Sequence, residues 1–231
     1  MITHYPYTNL GHANHGWLDA RHHFSFASYQ DQSRMSFGAL RVINDDIIKA
    51  GTGFDTHSHK DMEIITYVRK GAITHRDSNG NVGRTGAGDV QVMSAGTGIF
   101  HSEFNFESED TSLFQIWIEP NQLKVKPRWD SSEFPKTPVK DALTLLVSGD
   151  GNAPLSIHQD ALIYAGHLDQ GTRLRHPIKH QAYLLVSEGS LDVEGHLLGK
   201  GDGIEVKDLS SISIKALTDS AVLVIDVPNN I

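Results

Sequence analysis

The sequence predicts an all-β protein made of two similar barrels, and three observations carry that expectation. Twenty-one glycines spread through 231 residues divide the chain into short segments rich in Val, Ile, Thr and aromatic residues, the pattern of strands and turns. No stretch keeps apolar residues at i, i+3 and i+4 beyond about two helical turns, which favours a sandwich or barrel over α/β architectures. Four of the eight prolines, Pro120, Pro127, Pro135 and Pro138, fall close together and mark a linker between two halves that look alike.

The elements follow in chain order. Near the N-terminus His12, His15, His22 and His23 lie around Gly11 and Gly16, which reads as a loop with solvated histidines rather than a second metal site. Phe24, Phe26 and Phe37 are expected in the core, with some of them lining a pocket. The clearest predicted strands cover residues 64–69, 90–93, 114–118, 143–147, 183–186, 211–215 and 222–227. Asn79-Gly80 is a hairpin turn placed between the first two. Trp129, Asp130, Ser131 and Ser132 break any strand pattern and belong to the linker. The expected division is therefore a first domain over residues 1–119, a linker over 120–140 and a second domain over 141–231. Within the halves, Tyr67 to Gly71 followed by Gly88-Asp89 matches Leu185 to Gly189 followed by Gly201-Asp202, so the two barrels are read as copies of one unit.

Composition narrows the chemistry. The absence of cysteine excludes disulfides, zinc-thiolate sites, iron–sulfur clusters and thiol catalysis, leaving nitrogen and oxygen as metal donors. Apolar runs such as 143–147 and 221–227 are far short of the roughly 18 to 20 residues that span a bilayer. The first ten residues lack a basic start and an apolar core, so no secretory signal is expected and the protein is placed in the cytoplasm, as a monomer. Twenty basic against 28 acidic residues give a net charge of −8, with no basic stripe, so neither nucleic acid nor a membrane is an expected partner.

Fourteen histidines are the unusual feature. In His57-Ser58-His59 the two imidazoles lie two apart, and on a strand they point to one face. About one such pair is expected by chance at this histidine content, so the motif alone means little. His101-Ser102-Glu103 supplies a second same-face pair after the tight approach Gly96-Thr97-Gly98. Two inward pairs on neighbouring strands bring together three imidazoles and a carboxylate, a set suited to Fe(II), Mn(II), Ni(II), Cu(II) or Zn(II) that leaves two octahedral positions open for catalysis. Glu63 has the same parity as His57 and His59, so it too is expected to point inward, as a ligand, a proton-transfer group or an ordinary polar residue at the barrel mouth.

The spaced residues Gly51, His57, His59, Glu63 and Gly71 resemble the first cupin motif, and Gly88, His101 and Asn105 resemble the second, with Ser94 where that motif usually has proline. Within the cupins, Gly11-His-Ala-Asn-His-Gly-Trp17, His59-Lys-Asp-Met-Glu-Ile and the stretch from Met93 to Asn105 are similar to the pirin family, especially its bacterial quercetin 2,3-dioxygenase-like branch. That resemblance implies a bicupin whose first barrel binds one divalent transition metal through His57, His59, His101 and Glu103. Iron(II) is the first choice, with zinc, nickel, manganese and copper as alternatives. Glu63 is then left as the base that takes a substrate proton. The second barrel is expected to carry no metal. Arg175, Pro177 and Gln181 fall at the positions of His57, His59 and Glu63, while Ile214 and Ala216 replace His101 and Glu103. His176 and His180 nearby read as surface or loop residues. The implied activity is cleavage of a flavonol such as quercetin by dioxygen, with loss of carbon monoxide. A pirin-type regulatory or protein-binding module without turnover is the alternative, and a phosphosugar isomerase lacks the cationic phosphate contacts it would need near these motifs.

Overall fold

The structure is a computed structural model that describes residues 1–229, so the last two residues of the expected second domain lie outside the described residues. Apart from a single 3-10 turn at Tyr7–Asn9, the regular structure among the described residues is all strand. No helix is long and apolar enough to cross a membrane. The chain forms two compact units: Gly11–Pro135 with Pro154–Gln159, and Met1–Leu10 with Lys136–Ala153 and residues 160–229.

In the first unit a long sheet runs Arg128–Ser132, Val90–Ser94, Glu63–Lys70, Thr111–Ile118, Leu40–Ile48, Leu18–His22 and Gly11–Asn14. It faces a four-stranded sheet in the order Gly53–His59, Ile99–Phe104, Ala72–Asp77 and Val82–Gly86. The second unit repeats this plan. Its long sheet begins Ile2–Tyr5, Gly203–Val206, Gln181–Glu188, Ser220–Val227 and Leu162–Leu168, and its short sheet is Arg173–Pro177, Ser211–Ala216, Ser190–Val193 and His196–Gly199.

The likeness extends to individual hydrogen bonds. The Gly88 N–H donates to the Val68 carbonyl at 2.8 Å, and the Gly201 N–H donates to the Val186 carbonyl at the same distance. Gly71 and Gly189 both hold φ at 76°, where a side chain is strained, and a Cβ would lie 2.5 Å from Thr111 Oγ1 at the first and 2.2 Å from the Asp219 carbonyl oxygen at the second. The two-barrel expectation and the internal repeat are therefore the architecture of the protein.

Three local expectations need correction. The segment read as a featureless linker contains a strand, Arg128–Ser132, that pairs with Val90–Ser94 through Trp129 opposite Met93. It is the edge strand of the first barrel, the place that Ile2–Tyr5, paired with Gly203–Val206, takes in the second. A solvent-facing edge tolerates Asp and Ser where a central strand would not, so the composition concealed it. Asn79-Gly80 is a turn, with φ of 87° at Gly80, but it joins Ala72–Asp77 to Val82–Gly86, two strands the reading passed over. The histidine-rich N-terminus is a hairpin rather than a loop, with Gly11 opposite His22. Phe24 and Phe37 are buried in the core as expected.

Candidate metal centre

The antiparallel pair Gly53–His59 and Ile99–Phe104 builds the centre. His57 stands opposite His101 and His59 opposite Ile99, after which the register shifts so that Glu103 meets Phe54. Alternation puts 57 and 59 on one face and 101 and 103 on the same side of the facing strand. The three imidazoles meet there. Ring centroids are 4.4 Å apart for His57 and His101, 4.9 Å for His57 and His59, and 5.0 Å for His59 and His101. One ring nitrogen from each lies within 4.8 Å of the others, close enough for a single ion.

Their protonation suits metal binding. Burial, with the neighbouring histidines, lowers the pKa of His59 to about 4 and that of His101 to about 3, so both stay neutral at ordinary pH with a lone pair to offer. His57 Nδ1 lies 2.7 Å from the Asp55 carbonyl. A carbonyl only accepts, so Nδ1 carries the hydrogen and Nε2 is the donor atom available to a metal. His101 Nε2 is buried with no hydrogen-bond partner, the condition expected of an atom whose partner is an ion rather than the protein.

Glu103 is buried beside this cluster and held by side chains from the opposite sheet. Gln91 Nε2 donates to its Oε1 at 2.5 Å and Gln115 Nε2 to its Oε2 at 2.8 Å, with Thr66 Oγ1 at 3.3 Å from Oε1. Thr85 Oγ1 in turn donates to Gln91 Oε1 at 3.0 Å. Sequence reasoning missed Gln91, Gln115 and Thr66. The available signal was a lone amide in each of two apolar strands, Val-Gln91-Val-Met and Leu-Phe-Gln115-Ile-Trp, because a buried amide needs a polar partner.

Glu63 does not join the centre. It lies three residues before Thr66 on the same strand, so if Thr66 faces Glu103 then Glu63 faces the other side of the sheet. There it accepts a 2.7 Å hydrogen bond from Ser94 Oγ, next to Arg128, whose Nε donates to that same hydroxyl at 3.2 Å. Parity counted from His59 failed because the chain reverses between the two strands, with Asp61 in a left-handed conformation at φ 47°, and enters the other sheet. Burial raises the Glu63 pKa to about 7 against the opposing Ser94, His158 and Arg128 interactions.

His57 and His59 open onto a cavity of about 810 Å³, walled by Trp17, Phe54, Phe26, Phe104 and Trp117 and also lined by Glu103 and Gln115, while His101 is buried behind them. Trp117 packs edge-on against His59 at 4.9 Å, and Trp17 against Phe54 at 5.1 Å. Asn44 and Asp46 line its polar side. Asp46 is buried, and burial, together with Asp45 and Glu103, raises its pKa well above the usual carboxylate range despite Arg69. Of the N-terminal histidines, His15 and His22 line the same cavity, and His22 is fixed by a 2.7 Å contact of Nδ1 with Asn44 Oδ1.

In the second barrel the corresponding interior is filled by an apolar cluster that includes Leu184, Ile212, Ile214, Ala216 and Val224. His176 is not the surface residue expected: it is buried on the strand Arg173–Pro177, 4.6 Å edge-on from the Tyr164 ring. His180 contacts Asp160 Oδ2 at 3.0 Å.

Comparison with known proteins agrees with this geometry. Residues 5–118 match the Pirin family and residues 145–227 match the quercetinase C-terminal cupin domain. The chain is 45% identical over 221 residues to a quercetin 2,3-dioxygenase of Escherichia coli (strain K12), covering 94% of this chain and 95% of the relative. It is 49% identical over 230 residues to a pirin-like protein of Caulobacter vibrioides, covering 98% and 99%. Among solved structures, the bacterial pirin YhhW of Escherichia coli in complex with nickel(II) superposes with a TM-score of 0.92 at 44% identity, covering 99% of each chain.

Proposed function

The chain belongs to the pirin family, and from that premise we propose that it is a metal-dependent dioxygenase that opens the ring of a flavonol-like phenol such as quercetin. The carrying observation is the convergence of His57, His59 and His101, two of which, His57 and His59, line an aromatic-walled cavity. A single transition metal fits the donors present: three imidazoles, one of which has a buried ring nitrogen without a protein partner, and a carboxylate held in place by two amides. His57, His59, His101 and Glu103 would hold it. When bound, such an ion supplies Lewis acidity toward a phenolic oxygen and, for a redox-active metal such as iron(II), a path for electrons to dioxygen.

The remaining work belongs to the protein. Trp17, Phe54 and Trp117 offer flat apolar surface against which a planar polycyclic substrate lies, and they exclude water from the reacting face. Asn44 and Gln115 offer amide hydrogen bonds to ring hydroxyls, and Asp46, whose burial favours the protonated form, offers a further polar contact. With Glu63 on the far face of the sheet, Glu103 is the carboxylate in position to accept the phenolic proton on a side-chain oxygen, and Gln91 and Gln115 orient the carboxylate by donating to Oε1 and Oε2 respectively. The nickel-bound relative and the relatives named quercetin 2,3-dioxygenase support this reading.

An oxygen electrode tests it. The metal-loaded protein is expected to consume one dioxygen per quercetin, with both oxygen atoms entering the product and carbon monoxide leaving. Absence of oxygen uptake by fully loaded protein overturns the enzymatic reading in favour of a binding or regulatory role.

A further inference from the structure

His75 and Asp77 stand beside the metal centre, outside the four ligands proposed above, although a donor nitrogen of His75 lies within 4.8 Å of donor atoms of His101 and Glu103. Both are on the strand Ala72–Asp77, which pairs with Ile99–Phe104 so that Asp77 lies opposite His101 and His75 opposite Glu103. Their side chains are shut off from solvent, at 1% exposure for His75 and 0% for Asp77. His75 Nε2 lies 2.9 Å from Asp77 Oδ2, and His75 Nδ1 lies 3.5 Å from His101 Nδ1.

The position of each hydrogen follows from the partners. Asp77 Oδ1 accepts the backbone N–H groups of Asn79 at 2.9 Å and Asn81 at 3.1 Å, and Oδ2 accepts Asn81 Nδ2 at 2.9 Å. A carboxylate engaged in this way is acceptor-only, so the hydrogen between Asp77 and His75 is on His75 Nε2. An imidazole that carries its one hydrogen on Nε2 has a lone pair on the other nitrogen, and in that form His75 Nδ1 is an acceptor. The atom facing it, His101 Nδ1, must be the donor, and a neutral His101 is left with its lone pair on Nε2. That is the nitrogen found buried without a protein partner.

We propose that Asp77 and His75 form a hydrogen-bonded relay that fixes the tautomer of His101, keeping its Nδ1 protonated and its Nε2 free to bind the metal. The relay rests on the metal-centre reading above and adds two positioning residues to it. Two further features lock it. The Asn79-Gly80 turn supplies the donors that orient Asp77, and Trp129 stacks flat on His75, with centroids 5.0 Å apart and planes 9° apart. Gly83, directly opposite His75 in the sheet, leaves room for that indole, since a Cβ there would lie 2.1 Å from Trp129 Cη2. An outer carboxylate that orients a ligating imidazole and raises its basicity is a general feature of metal sites, and its loss commonly weakens metal binding about 10- to 100-fold.

The test uses the full chain in two measurements. In the metal-free, 15N-labelled wild type at neutral pH, long-range 1H–15N correlation spectra distinguish protonated from lone-pair ring nitrogens. The relay requires His101 protonated at Nδ1 and His75 protonated at Nε2, and the reverse tautomer at His101 overturns it. Nickel(II) affinity is then measured by chelator competition for wild type, His75→Phe and Asp77→Asn. His75→Phe keeps a flat ring against Trp129 but cannot accept a hydrogen bond. Asp77→Asn keeps the turn acceptor but presents an amide to His75. Both are expected to bind nickel(II) about 10- to 100-fold more weakly, and wild-type affinity in both overturns the relay. A fourth imidazole in the X-ray absorption spectrum of the nickel-loaded wild type also overturns it, because His75 would then be bonding the metal itself. Should the wild type bind no nickel(II), the metal-centre reading is lost, while the tautomer spectrum still decides the relay on its own.

Discussion

His57 and His101 face each other across an antiparallel strand pair in direct register, with ring centroids 4.4 Å apart. Because the two rings converge from different strands, neither can be replaced by a shift in the other. His101→Ala is expected to reduce metal content from close to one per chain to below about one-tenth under chelator, a loss of affinity of the order seen when one ligand of four is removed. The barrel should stay folded, since its apolar clusters lie elsewhere in the interior. Elemental analysis beside far-ultraviolet circular dichroism checks both halves of the expectation.

Glu63→Gln separates burial from catalysis. The folded pKa of about 7 lies above the ordinary glutamate value of 4.5, so between these values the folded state holds a proton that the unfolded chain has released. Ionising Glu63 therefore costs stability as pH rises through 7. The amide removes that cost, so Glu63→Gln should be more stable than wild type at pH 9 by up to about 3 kcal/mol and no more stable below pH 4.5. Urea midpoints at pH 4.5 and 9 measure it. Metal content and turnover should remain within about twofold of wild type, because a group on the far face meets no substrate and accounts for none of the 10²- to 10⁴-fold that a general base supplies.

Spacing anticipated the convergence of these side chains because a strand's period of two relates residues of one strand, and His57/His59 and His101/Glu103 are each such a pair. The same rule misplaced Glu63, since parity has no meaning across the reversal at Asp61 and the passage into another sheet. The strand Arg128–Ser132 escaped notice for a different reason. Its pairing partner is Val90–Ser94, distant in sequence, and its own residues show no apolar alternation. The repeat was legible because the Gly-Asp turns at Gly88-Asp89 and Gly201-Asp202 impose backbone conformations that few residues tolerate. Gln91, Gln115, His75 and Asp77 were not, because a buried polar network is defined by partners on other strands rather than by local spacing.

His176 gives the second barrel its own pH dependence. Burial lowers its pKa to about 4, below the ordinary histidine value of 6.5, so in that window the unfolded chain binds a proton that the folded state refuses. Stability conferred by the neutral ring is present above pH 6.5 and lost as pH falls toward 4. His176→Phe should remove this loss, gaining up to about 2 kcal/mol relative to wild type on going from pH 8 to pH 5. Equal pH slopes for the two proteins in chemical denaturation would refute the assignment.

Trp17 tests the cavity wall without touching the metal. It meets Phe54 edge-on at 5.1 Å and borders the cavity. Trp17→Ala is expected to raise KM for quercetin about tenfold, the equivalent of about 1.4 kcal/mol of lost aromatic contact, while metal content stays at the wild-type level. A changed kcat with unchanged KM would place Trp17 outside the substrate site.

The central claim is that one metal sits on His57, His59, His101 and Glu103 in the first barrel. Anomalous diffraction from crystals of the nickel-loaded full chain, collected at the nickel absorption edge, tests it directly. The account predicts one strong peak per chain, about 2.0 to 2.2 Å from the Nε2 atoms of His57, His59 and His101 and from a Glu103 carboxylate oxygen. A peak in the second barrel, two peaks per chain, or a single peak bonded to His75 or Glu63 instead of Glu103 would contradict it.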